Sequence, residues 1–217
     1  MKGLRLIGIG LLMMIPFLAI KAQKALTPQD LEAWKQISAR TISNDGQWAA
    51  VVFTPWRGDS EVQLMSLDGK NVQMYPTASE VKFSSSSAFA LIKRVPAMAL
   101  TDSLKLKKVK SDKMPMDELL IRNLKSGAEW EIDSLKGYKL AEEGDWVAYQ
   151  RTRKKSILEV VSLDGTNKYE LASALAYGFA KEKPVLYFVT KDTIGGMKPG
   201  MYIWKPETPQ PVLVKEG

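Results

Sequence analysis

The feature that most constrains the fold is a repeat of short β-hairpins that runs from residue 42 to the end of the chain. One bulky aromatic residue follows the first turn of each repeat, at Trp48, Phe89, Trp146 and Tyr187. Trp48 and Phe89 are 41 residues apart, as are Trp146 and Tyr187, whereas Phe89 and Trp146 are 57 residues apart. A period of about 40 residues with four strands per repeat is typical of β-propeller blades, which bury their faces against neighbouring blades.

The turns of these hairpins carry a local signal of their own. Three of them contain Asp-Gly, at residues 45–46, 68–69 and 164–165, a pair that tolerates the positive φ of a tight turn. The longer middle interval predicts one insertion, about residues 96–115, which is rich in lysine and lacks strand alternation. We therefore predict an all-β fold, an incomplete β-propeller of about four blades over residues 41–217, with the four aromatic residues packed between the sheets.

A short helix is predicted before the first hairpin, within an N-terminal segment of residues 23–40. Thr27 can cap the helix, Pro28 suits its first turn, and Asp30 favours its positive end. Leu31, Trp34 and Ile37 then form one apolar stripe. We expect this helix to end near residues 38–39 and to pack on the body of the fold.

The first 22 residues resemble an export signal. Lys2 and Arg5 give a positive start, and residues 6–20 carry no charge before Lys21. That run is shorter than the roughly 20 apolar residues that span a bilayer, so a cleaved signal peptide is favoured over a stable membrane anchor. We expect the mature chain to begin near Gln23 and to be exported, to the periplasm or the outside of the cell.

Two absences from the composition limit the chemistry. The 217 residues include no histidine and no cysteine. A Ser-His-Asp or Cys-His nucleophile, a zinc site with His or Cys ligands, an iron–sulfur cluster and a disulfide are therefore excluded for this chain alone. We assign it no catalytic, cofactor-binding or metal-binding residue and expect no cofactor.

The charged clusters are interpreted as solvated surface. The formal net charge is +7, but the basic run in the insertion is diluted by acidic neighbours and has no interleaved aromatic for base stacking, so nucleic acid is not an expected partner. This run contains Lys105, Lys107, Lys108, Lys110 and Lys113. A second basic group, Arg151 and residues 153–155, is expected to fill a turn, and Asp45, Asp68 and Asp164 are interpreted as turn residues rather than cation ligands.

The start of the mature chain resembles that of secreted S9-type, prolyl oligopeptidase-like serine peptidases. The resemblance rests on Leu26-Thr27-Pro28-Gln29-Asp30-Leu31 and Trp34-Lys35-Gln36-Ile37, followed by Ile42-Ser43-Asn44-Asp45-Gly46-Gln47-Trp48. Residues 114–119, after the insertion, resemble a segment in the second blade of that group. The resemblance implies a signal peptide, a helix and a β-propeller, followed by an α/β-hydrolase domain.

The same resemblance implies what this sequence lacks. It has no Gly-x-Ser-x-Gly nucleophile elbow and no histidine, so we expect it to be inactive alone, although the full enzyme would be a hydrolase. The leading hypothesis is a non-catalytic propeller portion that controls the access of peptides to a hydrolase domain encoded in the same or an adjacent gene. The alternative is a stand-alone envelope propeller that acts as a binding module, as TolB-like proteins do. If the ring does not close, exposed edges favour poor solubility or oligomers.

Overall fold

The computed structural model shows an all-β protein, described at residue 27 and residues 34–152, 157–191, 193 and 197–217. A helix, α1 (Met98–Leu106), and one 3-10 turn (Ser111–Lys113) stand between the sixth and seventh strands of these residues. The strands are β1 Lys35–Ile42, β2 Trp48–Pro55, β3 Glu61–Ser66, β4 Val72–Pro76, β5 Ala78–Phe83, β6 Phe89–Arg94, β7 Asp117–Asn123, β8 Glu129–Leu140, β9 Trp146–Arg151, β10 Ile157–Ser162, β11 Lys168–Phe179, β12 Leu186–Thr190, β13 Gly200–Lys205 and β14 Thr208–Glu216.

Each strand pairs antiparallel with the next, and the pairing defines four blades. Blade 1 is the separate sheet β1-β2-β3-β4, while β5 to β14 form one continuous sheet. That sheet is continuous because β8 and β11 are long and shared. Residues 129–135 of β8 pair with β7 and residues 135–140 with β9. Residues 168–173 of β11 pair with β10 and residues 174–179 with β12.

Blade 2 therefore runs from β5 into the first half of β8, and blade 3 from the second half of β8 into the first half of β11. Blade 4 is completed by β14. We call the face of a blade that points to the following blade its forward face, and the opposite face its backward face. This arrangement of four-stranded units confirms the predicted incomplete propeller of about four blades.

Three apolar clusters hold the blades together, one between each forward face and the backward face that follows it. Between blades 1 and 2 the cluster includes Val52, Leu64, Val81 and Ile92. Between blades 2 and 3 it includes Leu91, Ile121, Val147 and Val161. Between blades 3 and 4 it includes Leu158, Val160, Leu186, Phe188 and Trp204. Burial of this apolar area away from water is the main term that stabilises successive blades.

The four repeated aromatics do not all share one environment. Phe89 is buried in the cluster between blades 2 and 3, and Trp48 and Trp146 pack against the clusters of their own forward faces. Tyr187 is 42% exposed. Its predicted burial between sheets is therefore wrong, because blade 4 is followed by no further blade in the described residues.

The Asp-Gly turns have the geometry that the sequence predicts. Gly46, Gly69 and Gly165 adopt φ of 67°, 73° and 75°. In each turn a serine hydroxyl two residues before the aspartate donates to its Oδ1, at 2.6, 2.6 and 2.5 Å. These hydroxyl bonds, with backbone N–H bonds to the same carboxylates, hold the pKa of Asp45, Asp68 and Asp164 below the usual range. The three aspartates are accordingly turn residues.

The first turns of successive blades also contact one another. The side-chain amide of Asn44 donates to the backbone oxygen of Ser85 (3.1 Å), and the backbone N–H of Asp45 donates to Ser87 Oγ (3.0 Å). Ser86 Oγ donates to Asp145 Oδ1 (2.7 Å). These bonds join blades 1 and 2, and then blades 2 and 3, at one end of the blades.

Two local predictions differ from the structure. Residues 35–39, expected at the end of the first helix, belong to β1, because they pair with β2 from Lys35 opposite Pro55 to Ile42 opposite Ala49. The insertion, expected to be a loop, contains α1. Residues 28–33 of the predicted helix and the whole of the predicted signal peptide, residues 1–22, are outside the described residues.

Candidate binding face

The connections between the second and third strands of blades 1 and 2 meet at one end of the molecule, which we call the insertion face. The blade 1 connection, residues 56–60, touches the blade 2 connection, residues 95–116, where Asp59 Oδ1 accepts a hydrogen bond from the backbone N–H of Met98 at 2.7 Å. That N–H is one of the donors that the first turn of a helix leaves without an intrahelical partner. A residue of blade 1 thus caps the helix inserted in blade 2.

The sequence of α1 explains why the insertion forms a helix despite its many charges. Methionine, alanine, leucine and lysine are strong helix formers, and Leu100 and Leu104 lie four residues apart on one side of the helix. The chain leaves the helix through Lys108, at φ 53°, whose N–H bonds to the backbone oxygen of Lys105. None of the residues of α1 is fully buried, so the helix lies on the body of the fold without joining its core.

A cleft of about 450 Å³ lies beneath α1. One wall is apolar and comes from the insertion, and the other is polar and comes from the ends of β7 and β8. The lining residues are Leu100, Leu104, Lys113, Pro115, Met116, Glu118, Asp133 and Ser134. This volume is within the range of cavities that hold small ligands or parts of a peptide.

The first charge network at this face joins blade 2 strands. Lys93 Nζ lies 2.9 Å from Asp117 Oδ2. Arg94 Nη1 lies 3.6 Å from Glu118 Oε2 and 3.8 Å from Glu131 Oε2. Because all of these groups are partly exposed, solvent screens their attraction, and each pair contributes little to stability.

A second network crosses blade 3 and is centred on Glu159, whose side chain is 1% exposed. Its carboxylate accepts from Tyr149 Oη (2.8 Å), Arg151 Nε (3.1 Å) and Lys168 Nζ (2.7 Å). Arg151 also pairs with Asp133 in the cleft wall. Burial by itself would raise the pKa of Glu159, but the bonds from Lys168 and Tyr149 and the charges of Lys168 and Arg151 together lower that pKa.

The cleft can bind a ligand but has no evident means of reacting with it. Arg94 and Arg151 neutralise the carboxylates of Glu118 and Asp133, so neither acid is free to act as a general base. Within the described residues there is no cluster of three or more metal-ligating side chains. The same residues include no helix that is long and apolar enough to cross a membrane.

The structure also places the basic clusters noted in the sequence. The lysines of the insertion at 105, 107, 108, 110 and 113 are all exposed, which confirms their solvated position. Arg151 was expected in a turn, but it ends β9 and pairs with Glu159 and Asp133. Residues 153–155 are outside the described residues. Strand alternation did not reveal these pairs, because they join residues 8 and 18 positions apart across registers.

Comparison with known proteins supports the fold. No family model matches the chain, and no curated protein matches it. Among solved structures, it is similar to prolyl oligopeptidase B from Galerina marginata (13% identity, TM-score 0.52, covering 88% of this chain and 31% of that one). It is also similar to the β-propeller domain of the Trilobed protease from Pyrococcus furiosus (11%, 0.50, 84% and 58%) and to a prolyl endopeptidase (13%, 0.50, 84% and 29%).

These likenesses are low in identity and show the propeller architecture alone. The chain spans 58% of the propeller domain from Pyrococcus furiosus and less than a third of each prolyl peptidase chain. The fold is thus that of propeller domains found in S9 peptidases, and the chain corresponds to part of those proteins.

Proposed function

We propose that this chain is the non-catalytic propeller portion of an exported serine peptidase of the S9, prolyl oligopeptidase-like type. Its part is to control which peptides reach an α/β-hydrolase domain that is encoded elsewhere in the same gene or in an adjacent one. The observation that carries the proposal is a four-bladed propeller arc, similar in fold to peptidase propellers, in a sequence without histidine. The control is steric, since the arc limits the size of what passes and contributes no reacting atoms.

The proposal is tested by reconstitution. The hydrolase domain from the same or the adjacent gene is purified with and without residues 23–217 and assayed on a fluorogenic proline-containing pentapeptide and on casein. With the chain present, cleavage of the pentapeptide persists and cleavage of casein falls. Equal cleavage of casein in both samples, or the absence of any hydrolase frame in the two genes, contradicts the proposal.

Export is part of the same proposal and has its own test. The positive start and uncharged run of residues 1–21 support it. Mass spectrometry of the protein recovered from a periplasmic extract should give an N-terminus at or near Gln23. A cytoplasmic protein that retains Met1 contradicts export and leaves the propeller assignment untouched.

A stand-alone binding module is the second candidate function, and the cleft favours it. The lining of the cleft comes entirely from blades 1 to 3 of this chain, so a ligand could bind without another domain. Fluorescence anisotropy with labelled tripeptides tests this function. Leu104→Glu places a charge in the apolar wall and should abolish any binding, whereas Lys125→Glu, on a distant exposed turn, should leave binding unchanged.

A further inference from the structure

The two ends of the arc are unlike the interior of the molecule because each exposes a face that elsewhere is buried. On the forward face of blade 4, Tyr187 lies beside Ile203, and Met201, which is 37% exposed, lies beside Val189. Val212 of β14 continues this face opposite Ile203. Tyr187 stands where Trp48, Phe89 and Trp146 contact the next blade, so this face has the composition of an interface without its partner.

The backward face of blade 1 has the same character. Ile37, which is 57% exposed, pairs with Phe53, and Met74, which is 45% exposed, lies next to Gln63 on the same side of the sheet. Val51 and Met65 complete this face by strand alternation. Their neighbours Val52 and Leu64 point the other way and are buried against blade 2.

These two faces are of opposite kinds, and that decides what fits them. At all three interfaces within the described chain, a forward face packs on a backward face. Blade 4 offers an unpartnered forward face and blade 1 an unpartnered backward face. A second copy of the chain presents both at once, and four blades from each copy make eight, within the known range of propellers.

We propose that two copies of the chain associate head to tail, with the forward face of blade 4 in each copy packed on the backward face of blade 1 in the other. The contact is heterologous, and it closes after two subunits into an eight-bladed ring. This inference depends only on the arc and not on the proposed peptidase role. A fifth blade in a longer polypeptide would occupy the same forward face.

The first measurement is the mass of residues 23–217 in solution by sedimentation equilibrium at micromolar concentration, and a dimer is expected. Tyr187→Glu changes only the forward face and Met65→Glu only the backward face. Each should weaken dimerisation by about 100-fold or more, because an unpaired charge would be buried in both interfaces of the ring. Leu100→Glu, an equally exposed leucine on the insertion face, is the matched control and should remain a dimer.

Mixing the two variants separates head-to-tail packing from every other dimer. A mixture of Tyr187→Glu and Met65→Glu still contains one intact forward face and one intact backward face, so a dimer with one sound interface should reappear. Association through the exposed edges of β1 and β14 would be insensitive to both substitutions and would overturn the proposal. A monomeric wild-type chain, open-ended polymers or a mixture that stays monomeric would also overturn it.

Circular dichroism and thermal melting establish that each variant is folded before its mass is interpreted. Met201→Glu on the forward face and Met74→Glu on the backward face replace any variant that does not fold. Failure of reconstitution with a hydrolase would leave the dimer intact, so the two proposals fail independently.

Discussion

Trp146 and Tyr187 occupy the same place in consecutive repeats, yet one is held in an aromatic cluster and the other faces solvent. The Trp146 ring lies 5.4 Å from that of Trp204 and 6.2 Å from that of Tyr169, within the contact between blades 3 and 4. Tyr187 points away from that contact on the last blade. The repeat selects a large aromatic side chain at this place, but a neighbouring blade decides whether it becomes core.

The largest effect is expected at the interior interface that this comparison identifies. Trp204 is fully buried on the backward face of blade 4 and packs edge-on against Trp146. Trp204→Ala would leave a cavity between two blades and should lower the free energy of unfolding by about 4 kcal/mol. Urea denaturation followed by circular dichroism measures the change. A loss below about 1 kcal/mol would mean that blades 3 and 4 do not pack as described.

The buried ion cluster of blade 3 comes next. Glu159→Gln keeps the shape of the side chain but leaves Arg151 and Lys168 without their shared carboxylate, so we expect a loss of about 3 kcal/mol. Lys35, which pairs with the partly exposed Glu61 at 2.7 Å, offers the control. Lys35→Met should change stability by less than about 1 kcal/mol. Equal losses in the two variants would contradict the difference in burial.

The pH dependence of that cluster follows from the lowered pKa of Glu159. The stabilising contribution of a carboxylate with a lowered pKa is present above its unfolded value, about 4.3, and is lost as pH falls through the folded value. Wild-type stability should therefore fall in acid more steeply than that of Glu159→Gln. Parallel acid-denaturation curves for the two proteins would show that Glu159 is not ionised by its neighbours in the folded state.

The serine of the Asp-Gly turn gives a smaller and matched comparison between blades. Ser162 and Ser66 both donate to the turn aspartate and both accept from a backbone N–H at 3.0 Å. Ser162 is buried and Ser66 is more exposed. Ser162→Ala should therefore cost about 1–2 kcal/mol and Ser66→Ala about 0.5 kcal/mol, since water can replace the lost bonds only at the exposed turn. Chemical denaturation should show the reverse order if burial does not matter here.

The smallest effect on the folded monomer is expected at the other member of the opening comparison. Tyr187→Ala removes a side chain that no following blade contacts, so the free energy of unfolding should change by less than about 1 kcal/mol. The measurement requires a protein concentration at which the chain is monomeric. A loss close to that of Trp204→Ala would show that the forward face of blade 4 is covered within one chain.

The parts of the fold that sequence alone predicts are those fixed by local chemistry. The Asp-Gly turns, the strand alternation and the repeat of about 40 residues depend on residues that are neighbours in the chain, and these features confirm the propeller prediction. The strand at residues 35–42 was missed because Trp34 and Ile37 also fit a helical stripe, and pairing with β2 overrides that preference.

The candidate site was less predictable because it depends on contacts between distant residues. Asp59 caps α1 from 39 positions away, and Arg151 joins Asp133 and Glu159 across three strands. The exposure of Tyr187 was likewise hidden, because nothing in a repeat's own sequence records whether another blade follows it. The spacing of Leu100 and Leu104 was the one local signal that could have predicted the helix over the cleft.

The central claim, an open arc of four consecutive blades, is tested most directly by engineered cross-links, since the natural chain has no cysteine. Asn44 and Ser85 occupy adjoining first turns of blades 1 and 2, and Lys181 occupies the corresponding turn of blade 4. In a single chain, Asn44→Cys with Ser85→Cys should form an internal cross-link, and Asn44→Cys with Lys181→Cys should form none, as read by denaturing electrophoresis and peptide mass spectrometry. An internal link between residues 44 and 181 would show a closed four-bladed ring and contradict the account.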